Sequence, residues 1–150
     1  GRLLGFDTHT FKYKDKPVEK FDIYILANGE VYDAQFGIRN WMTWRLLNML
    51  MSTVDSWDGN EKIMVRAEKQ DDGNFNIAVA INGKYCKWKL KWAEAFKDLD
   101  TAQTEARRDK MIDKWVAFLV EKFKYTAPEV TDNNEDTDEM PNGLSDDIPF

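Results

Sequence analysis

Residues 30–51, EVYDAQFGIRNWMTWRLLNMLM, contain the change of hydrophobic period that decides the fold. Glu30 to Ile38 nearly alternates in polarity, as a half-buried strand does. From Asn40 the spacing becomes helical: Trp41, Trp44, Leu47 and Met51 recur at three and four residues, with Leu46 and Leu50 beside them. Asn40 stands where a side-chain oxygen would cap the first turn. A strand thus runs directly into a strongly apolar helix.

Upstream, Leu3 to Lys14 and Val18 to Leu26 read as two more strands. Asn28-Gly29 supplies the positive φ angles of a tight hairpin between the second and third. Pro17 has no N–H to give a ladder, which places it in the loop Lys14-Asp15-Lys16-Pro17 between the first and second. Downstream, Asp55 to Asn60 has loop chemistry. Glu61–Lys69 and Asn74–Ile81 then alternate around Asp71-Asp72-Gly73, a second hairpin whose residues Phe75, Ile77, Val79 and Ile81 form a core face. Asn82-Gly83 announces a further strand, Lys84 to Lys91. A long helix is expected from Asp100 or Thr101 to Lys124, with Met111, Ile112, Trp115, Phe118, Leu119 and Phe123 on its apolar stripe.

Three strands, a helix, two strands, one extra strand and a C-terminal helix predict a mainly β protein. The order matches an OB-fold-like small barrel with a helix between strands 3 and 4 and an extra C-terminal helix. A mixed α+β sheet covered by two helices has the same element list. With 150 residues the chain is sized for one core.

The net charge of −6 conceals a division. The last 25 residues carry eight acids and no Lys or Arg, which leaves residues 1–125 with 19 acids against 21 bases. Two units follow: a slightly basic body, 1–125, expected to bind DNA, and an acidic tail, 126–150, too poor in apolar groups to fold and expected to be disordered. Cys86, the single cysteine, excludes a disulfide framework, and with one histidine it cannot complete a zinc site from one chain. No metal and no cofactor is expected. No stretch is long and apolar enough for a membrane span, and the start lacks the apolar core of a signal peptide, so a cytoplasmic protein is expected.

Catalysis finds little support in the residues. His9 is the sole histidine, no Ser or Cys comes with a recognisable base, and there is no Gly-rich phosphate loop. Basic and aromatic residues are interleaved instead, the combination with which proteins hold single strands through phosphate charge and base stacking. If Lys84–Lys91 is a strand, Tyr85, Lys87, Lys89 and Lys91 share one face, the leading site candidate, and Trp88 and Trp92 point to the core. Lys12, Tyr13, Lys14 and Lys16 cluster at the first hairpin, Lys62 and Arg66 share a face of the fourth strand, and Trp57 is read as exposed in a polar loop. Trp41 and Trp44 are expected to be packing residues, and Arg107, Arg108, Lys110 and Lys114 the solvated side of the last helix.

The chain ends in Asp146-Asp147-Ile148-Pro149-Phe150 after an acidic linker containing Pro and Gly. These five residues resemble the C-terminal tip of bacterial single-stranded DNA-binding proteins. The resemblance covers the tip and the character of the linker, and the body shows no convincing match to that family's usual DNA-binding domain. It implies that Asp146, Asp147, Ile148, Pro149 and Phe150 are a docking peptide for replication, recombination and repair proteins. Ile148 and Phe150 suit apolar anchors, and Pro149 limits the entropy lost on docking. The carboxylates offer acceptors to a basic pocket.

The sequence therefore predicts a non-enzymatic, sequence-tolerant binder of single-stranded DNA that recruits DNA-processing enzymes, with a homo-oligomer possible and a divergent, phage-encoded origin compatible. Two rivals make different predictions. A decoy would capture a repair enzyme through the tip without binding DNA, and a metal-dependent nuclease would cut DNA with Mg²⁺.

Overall fold

The computed structural model describes residues 1–127, so the acidic tail and its tip lie outside the described residues. Its order is β1 (Arg2–Tyr13), β2 (Lys16–Ala27), β3 (Glu30–Gly37), α1 (Trp41–Met51), a 3₁₀ turn (Val54–Ser56), β4 (Ile63–Lys69), β5 (Phe75–Ile81), β6 (Lys84–Tyr85), α2 (Trp92–Phe96) and α3 (Thr101–Lys122). The strands form two antiparallel three-stranded sheets, β1-β2-β3 and β4-β5-β6, with α1 connecting them in sequence.

Local chemistry sets most boundaries. Lys14-Asp15 and Asn28-Gly29 have positive φ, giving two-residue hairpins that fix the registers Tyr13 to Lys16 and Ala27 to Glu30. Pro17 is in β2, opposite Lys12, and not in the loop as expected. This register turns its nitrogen away from β1, and β3 reaches only as far as Lys20, so no ladder bond is forfeited. The Asn40 Oδ1 accepts the Thr43 N–H at 2.8 Å, capping α1. Asp100 and Gln103 form a reciprocal capping box on α3.

The core lies between the sheets and the helices. Phe6, Phe21 and Ile23 from the first sheet, Ile63, Val79 and Ile81 from the second, Trp44, Leu47 and Leu50 from α1, and Ile112, Trp115 and Leu119 from α3 are all buried. Eight of the eleven α1 residues are buried, so this helix is central.

The barrel expected from the strand order is not closed. The sheets meet through the bridge between Arg2 and Lys62, with the Leu3 N–H on Glu61 O at 2.8 Å and the Ile63 N–H on Gly1 O at 2.8 Å. Elsewhere the first sheet and the β4–β5 hairpin stand apart, divided by a cleft of about 680 Å³ lined by Phe36, Met42, Val65 and Ile77 among others. After α3 the chain returns to β1. The Phe6 N–H donates to Phe123 O at 2.8 Å and the Tyr125 N–H to Phe6 O at 2.9 Å, so residues 123–125 form a strap across Gly5. Gly5 has φ +148°, and a Cβ there would stand 2.5 Å from Phe123 O.

Candidate nucleic-acid interface

The expected strand from Lys84 to Lys91 stops after Tyr85. Its ladder continues only through the Cys86 N–H to Val79 O at 2.8 Å. The cause is Asn48 of α1, which is fully buried: its Oδ1 accepts the Leu90 N–H at 2.9 Å and its Nδ2 donates to Leu90 O at 2.9 Å. The Lys89 N–H adds a bond to the Asn48 carbonyl at 3.3 Å. A buried carboxamide thus satisfies main-chain groups that a strand neighbour would otherwise take, and bends residues 86–91 onto α1.

That bend creates a groove of about 690 Å³ between residues 84–89 and the 3₁₀ turn, with Lys84, Lys87 and Lys89 on its basic side, Tyr85 and Trp88 as aromatics, and Ile81 and Cys86 beneath. Ser52, Thr53 and Ser56 line the opposite side. Their hydroxyls donate to Met49 O, Leu50 O and Thr53 O, and Thr53 Oγ1 also accepts the Trp57 N–H, so the lone pairs kept for a ligand are chiefly those of Ser52 and Ser56. No carboxylate side chain lines this groove. Burial pushes the Cys86 thiol pKa up, so the thiol is held neutral on the groove floor.

Trp88 and Trp92 are not core residues: they are 41% and 49% exposed. Both meet the buried Trp44 ring edge-on, at 5.5 and 6.1 Å, which holds them in place and leaves part of each to solvent. Trp88 and Lys84 thus line the groove although alternation sets both on the face opposite Tyr85. Trp41 and Trp44 pack as expected. Arg108 is an exception to the solvated face of α3: its guanidinium lies 4.9 Å from the Trp41 ring centre.

Of the expected binding residues, Tyr85, Lys87 and Lys89 line the groove. Arg66 adjoins it, donating to the Tyr85 hydroxyl at 3.3 Å and pairing with Glu68 at 2.5 Å. Lys62 and Lys91 are exposed but outside its lining. Lys12, Tyr13, Lys14 and Lys16 form the exposed tip of the β1–β2 arm, with Lys14 Nζ 5.4 Å from the Tyr13 ring centre, and do not line the groove. Trp57 corrects the expectation of an exposed loop ring. It is half-buried, stacked on Phe6 at 6.1 Å and against Phe123 at 5.3 Å, with its N–H on Thr53 Oγ1.

A separate polar cluster lies on the outward face of the first sheet. Asp22 is fully buried there, with Oδ2 2.6 Å from His9 Nδ1 and Oδ1 without a hydrogen-bond partner. Its pKa is pushed up to about 6, chiefly by burial; the His9 bond opposes this and neighbouring Asp33 adds to it. Among the described residues no group of three or more His, Cys, Asp or Glu side chains is arranged to hold a metal ion. No helix among them is long and apolar enough to cross a membrane.

Comparison with protein-family models, with curated proteins and with solved structures returned no match.

Proposed function

We propose that the chain binds single-stranded DNA without reading base sequence, and that Asp146 to Phe150 dock DNA-processing enzymes. The observation that carries the first part is the groove beside β6: three lysines and two exposed aromatic rings converge there with no acid in the lining, on a protein of net charge −6. Phosphates need the cations, and any base can stack on an aromatic face, so this combination favours unpaired strands over a rigid duplex. The second part rests on the five C-terminal residues and their likeness to the tip of bacterial single-stranded DNA-binding proteins.

The fold supports an OB-type reading in a partly open form. A helix follows the third strand, β1 bridges to the residue before β4, and β1 bulges at Leu3 and Gly5. In OB-folds the loop between the first two strands contributes to oligonucleotide binding, which gives the Lys12–Lys16 arm a place as a second contact.

Titration with oligothymidylate, followed by tryptophan fluorescence and repeated at several salt concentrations, tests the reading. Binding should weaken steeply with salt and exceed duplex binding, and Trp88→Ala or Tyr85→Ala should cost about 1 to 3 kcal/mol per stacked base. Equal affinity for duplex would refute it. Absence of binding with intact tip-dependent capture of a repair protein would favour the decoy, and Mg²⁺-dependent cleavage the nuclease.

A further inference from the structure

We infer that Trp92, with Lys91 beside it, forms a second stacking subsite for a single strand, reached from the groove over residues 88–91. The inference rests on the nucleic-acid reading of that groove and adds a subsite outside its lining.

Residues 87–92 read Lys-Trp-Lys-Leu-Lys-Trp, and Leu90 is the fixed point of the segment. Asn48 holds its N–H and its C=O at 2.9 Å each, and its side chain packs partly buried against the core. The four residues around it, Trp88, Lys89, Lys91 and Trp92, are all exposed. A pinned main chain therefore carries two indoles and two ammonium groups to the surface within five residues.

Trp88 and Trp92 share one support. Each meets the buried Trp44 ring at 83°, and Trp92 is further held by Trp41 at 5.0 Å and by Phe96 at 4.7 Å. Rings already fixed by packing lose little freedom when a base stacks on them. Both ring centres lie within 6.1 Å of that of Trp44. They are thus no more than about 12 Å apart, a span that a stacked strand rising ~3.4 Å per nucleotide covers within about four nucleotides. A strand with one base on Trp88 is long enough to place another on Trp92 a few nucleotides on.

Charge sets this pair apart from an ordinary packing cluster. The cation over Trp41, Arg108, is only 11% exposed and pairs with Asp109 at 3.0 Å, so it is not free for a phosphate. Lys89 and Lys91 pair with no carboxylate among the described residues. Glu94, the acid nearest in sequence, lies two positions beyond Trp92 on α2, where the two side chains do not face each other. A half-exposed indole beside free lysines suits a nucleotide, whose base presents a π-face and whose backbone is anionic, better than it suits an apolar protein surface.

Titration of the full chain with a labelled oligothymidylate of roughly 16 nucleotides, followed by fluorescence anisotropy, tests this. Trp92→Ala should weaken binding about fivefold or more, and Trp92→Phe, which keeps an aromatic face, should retain most of the affinity. The same factor is expected in a Trp88→Ala background, because separate subsites contribute independently. Should Trp92→Ala disturb the circular dichroism, Lys91→Ala supplies the second arm. The Lys91 side chain makes no capping bond to α2, and its removal should reduce the salt dependence of binding by about one phosphate contact. Parental affinity in a folded Trp92→Ala variant overturns the inference. So does a loss that vanishes in the Trp88→Ala background, which would make Trp92 a prop for Trp88, and so does an unchanged salt dependence in Lys91→Ala. If Trp88→Ala and Tyr85→Ala weaken binding while Trp92→Ala does not, the groove reading stands and the second subsite alone falls; if the oligonucleotide does not bind at all, both fall.

Discussion

Asn48 links the stability of the body to the shape of the groove, and replacing it separates the two contributions. Asn48→Leu keeps roughly the side-chain volume, so the main losses are two hydrogen bonds of 2.9 Å to Leu90 and the pairing of that residue's N–H and C=O. Each bond contributes about 0.5 to 1.5 kcal/mol net, and an unpaired buried group costs about 1 to 3 kcal/mol. Leu90 is half-buried, so water recovers part of the second cost, and a total of about 2 to 4 kcal/mol is expected. Urea unfolding followed by circular dichroism measures it. The Lys87–Lys89 segment then loses its side-chain anchor and must be ordered on binding, so oligothymidylate affinity should fall about tenfold in a protein that is still folded. A stability loss under about 0.5 kcal/mol would refute the assignment of the bend to Asn48. The expected stability loss with unchanged affinity would show that the groove does not depend on this anchor.

Three other outcomes follow from the geometry. Gly5→Ala should cost about 3 kcal/mol or more in thermal or chemical unfolding, since the new methyl group would meet main-chain atoms of the strap and take up an unfavourable φ. Asp22 holds its proton more tightly folded than unfolded, with a pKa of about 6 against 3.8, so its contribution to stability is fully present below about pH 4 and is lost as pH rises through about 6. Asp22→Asn should remove about 2.4 kcal/mol of pH dependence between pH 4 and pH 7.5, read by comparing urea midpoints of the two proteins at those values. A chain ending at Tyr125 loses eight acids, and in oligonucleotide titrations it should bind DNA at least as tightly at low salt while failing to pull down repair proteins; loss of DNA binding on truncation would place the tail inside the DNA site.

What could be read from the sequence was what local chemistry controls. Asn28-Gly29, Asn40 and Asp100 each set a boundary through bonds a few residues away, and each was legible. The site was legible in composition but not in shape. Alternation through Lys84 to Lys91 assumed a continuing sheet, whereas the decisive bond comes from a side chain 42 residues earlier. Trp57 was misread for the same reason, because Phe6 and Phe123, which cover its ring, are remote in sequence. Pro17 failed differently: its strand is flanked on one side only at that height, a property of β3's length that no local signal in β2 carries.

The strap over Gly5 has a consequence for the order of synthesis. The edge of β1 at Phe6 is completed by Lys124, near the other end of the described chain, and closing a loop of that length costs about 4 kcal/mol of chain entropy. β1 is therefore made well before the segment that completes its edge. Until α3 has been synthesised and packed, a nascent chain presents that edge to whatever other strands are nearby. Synthesis and the completion of this edge are far apart in the chain, and conditions that slow α3 should raise the yield of aggregates more than conditions that slow the β1–β2 hairpin.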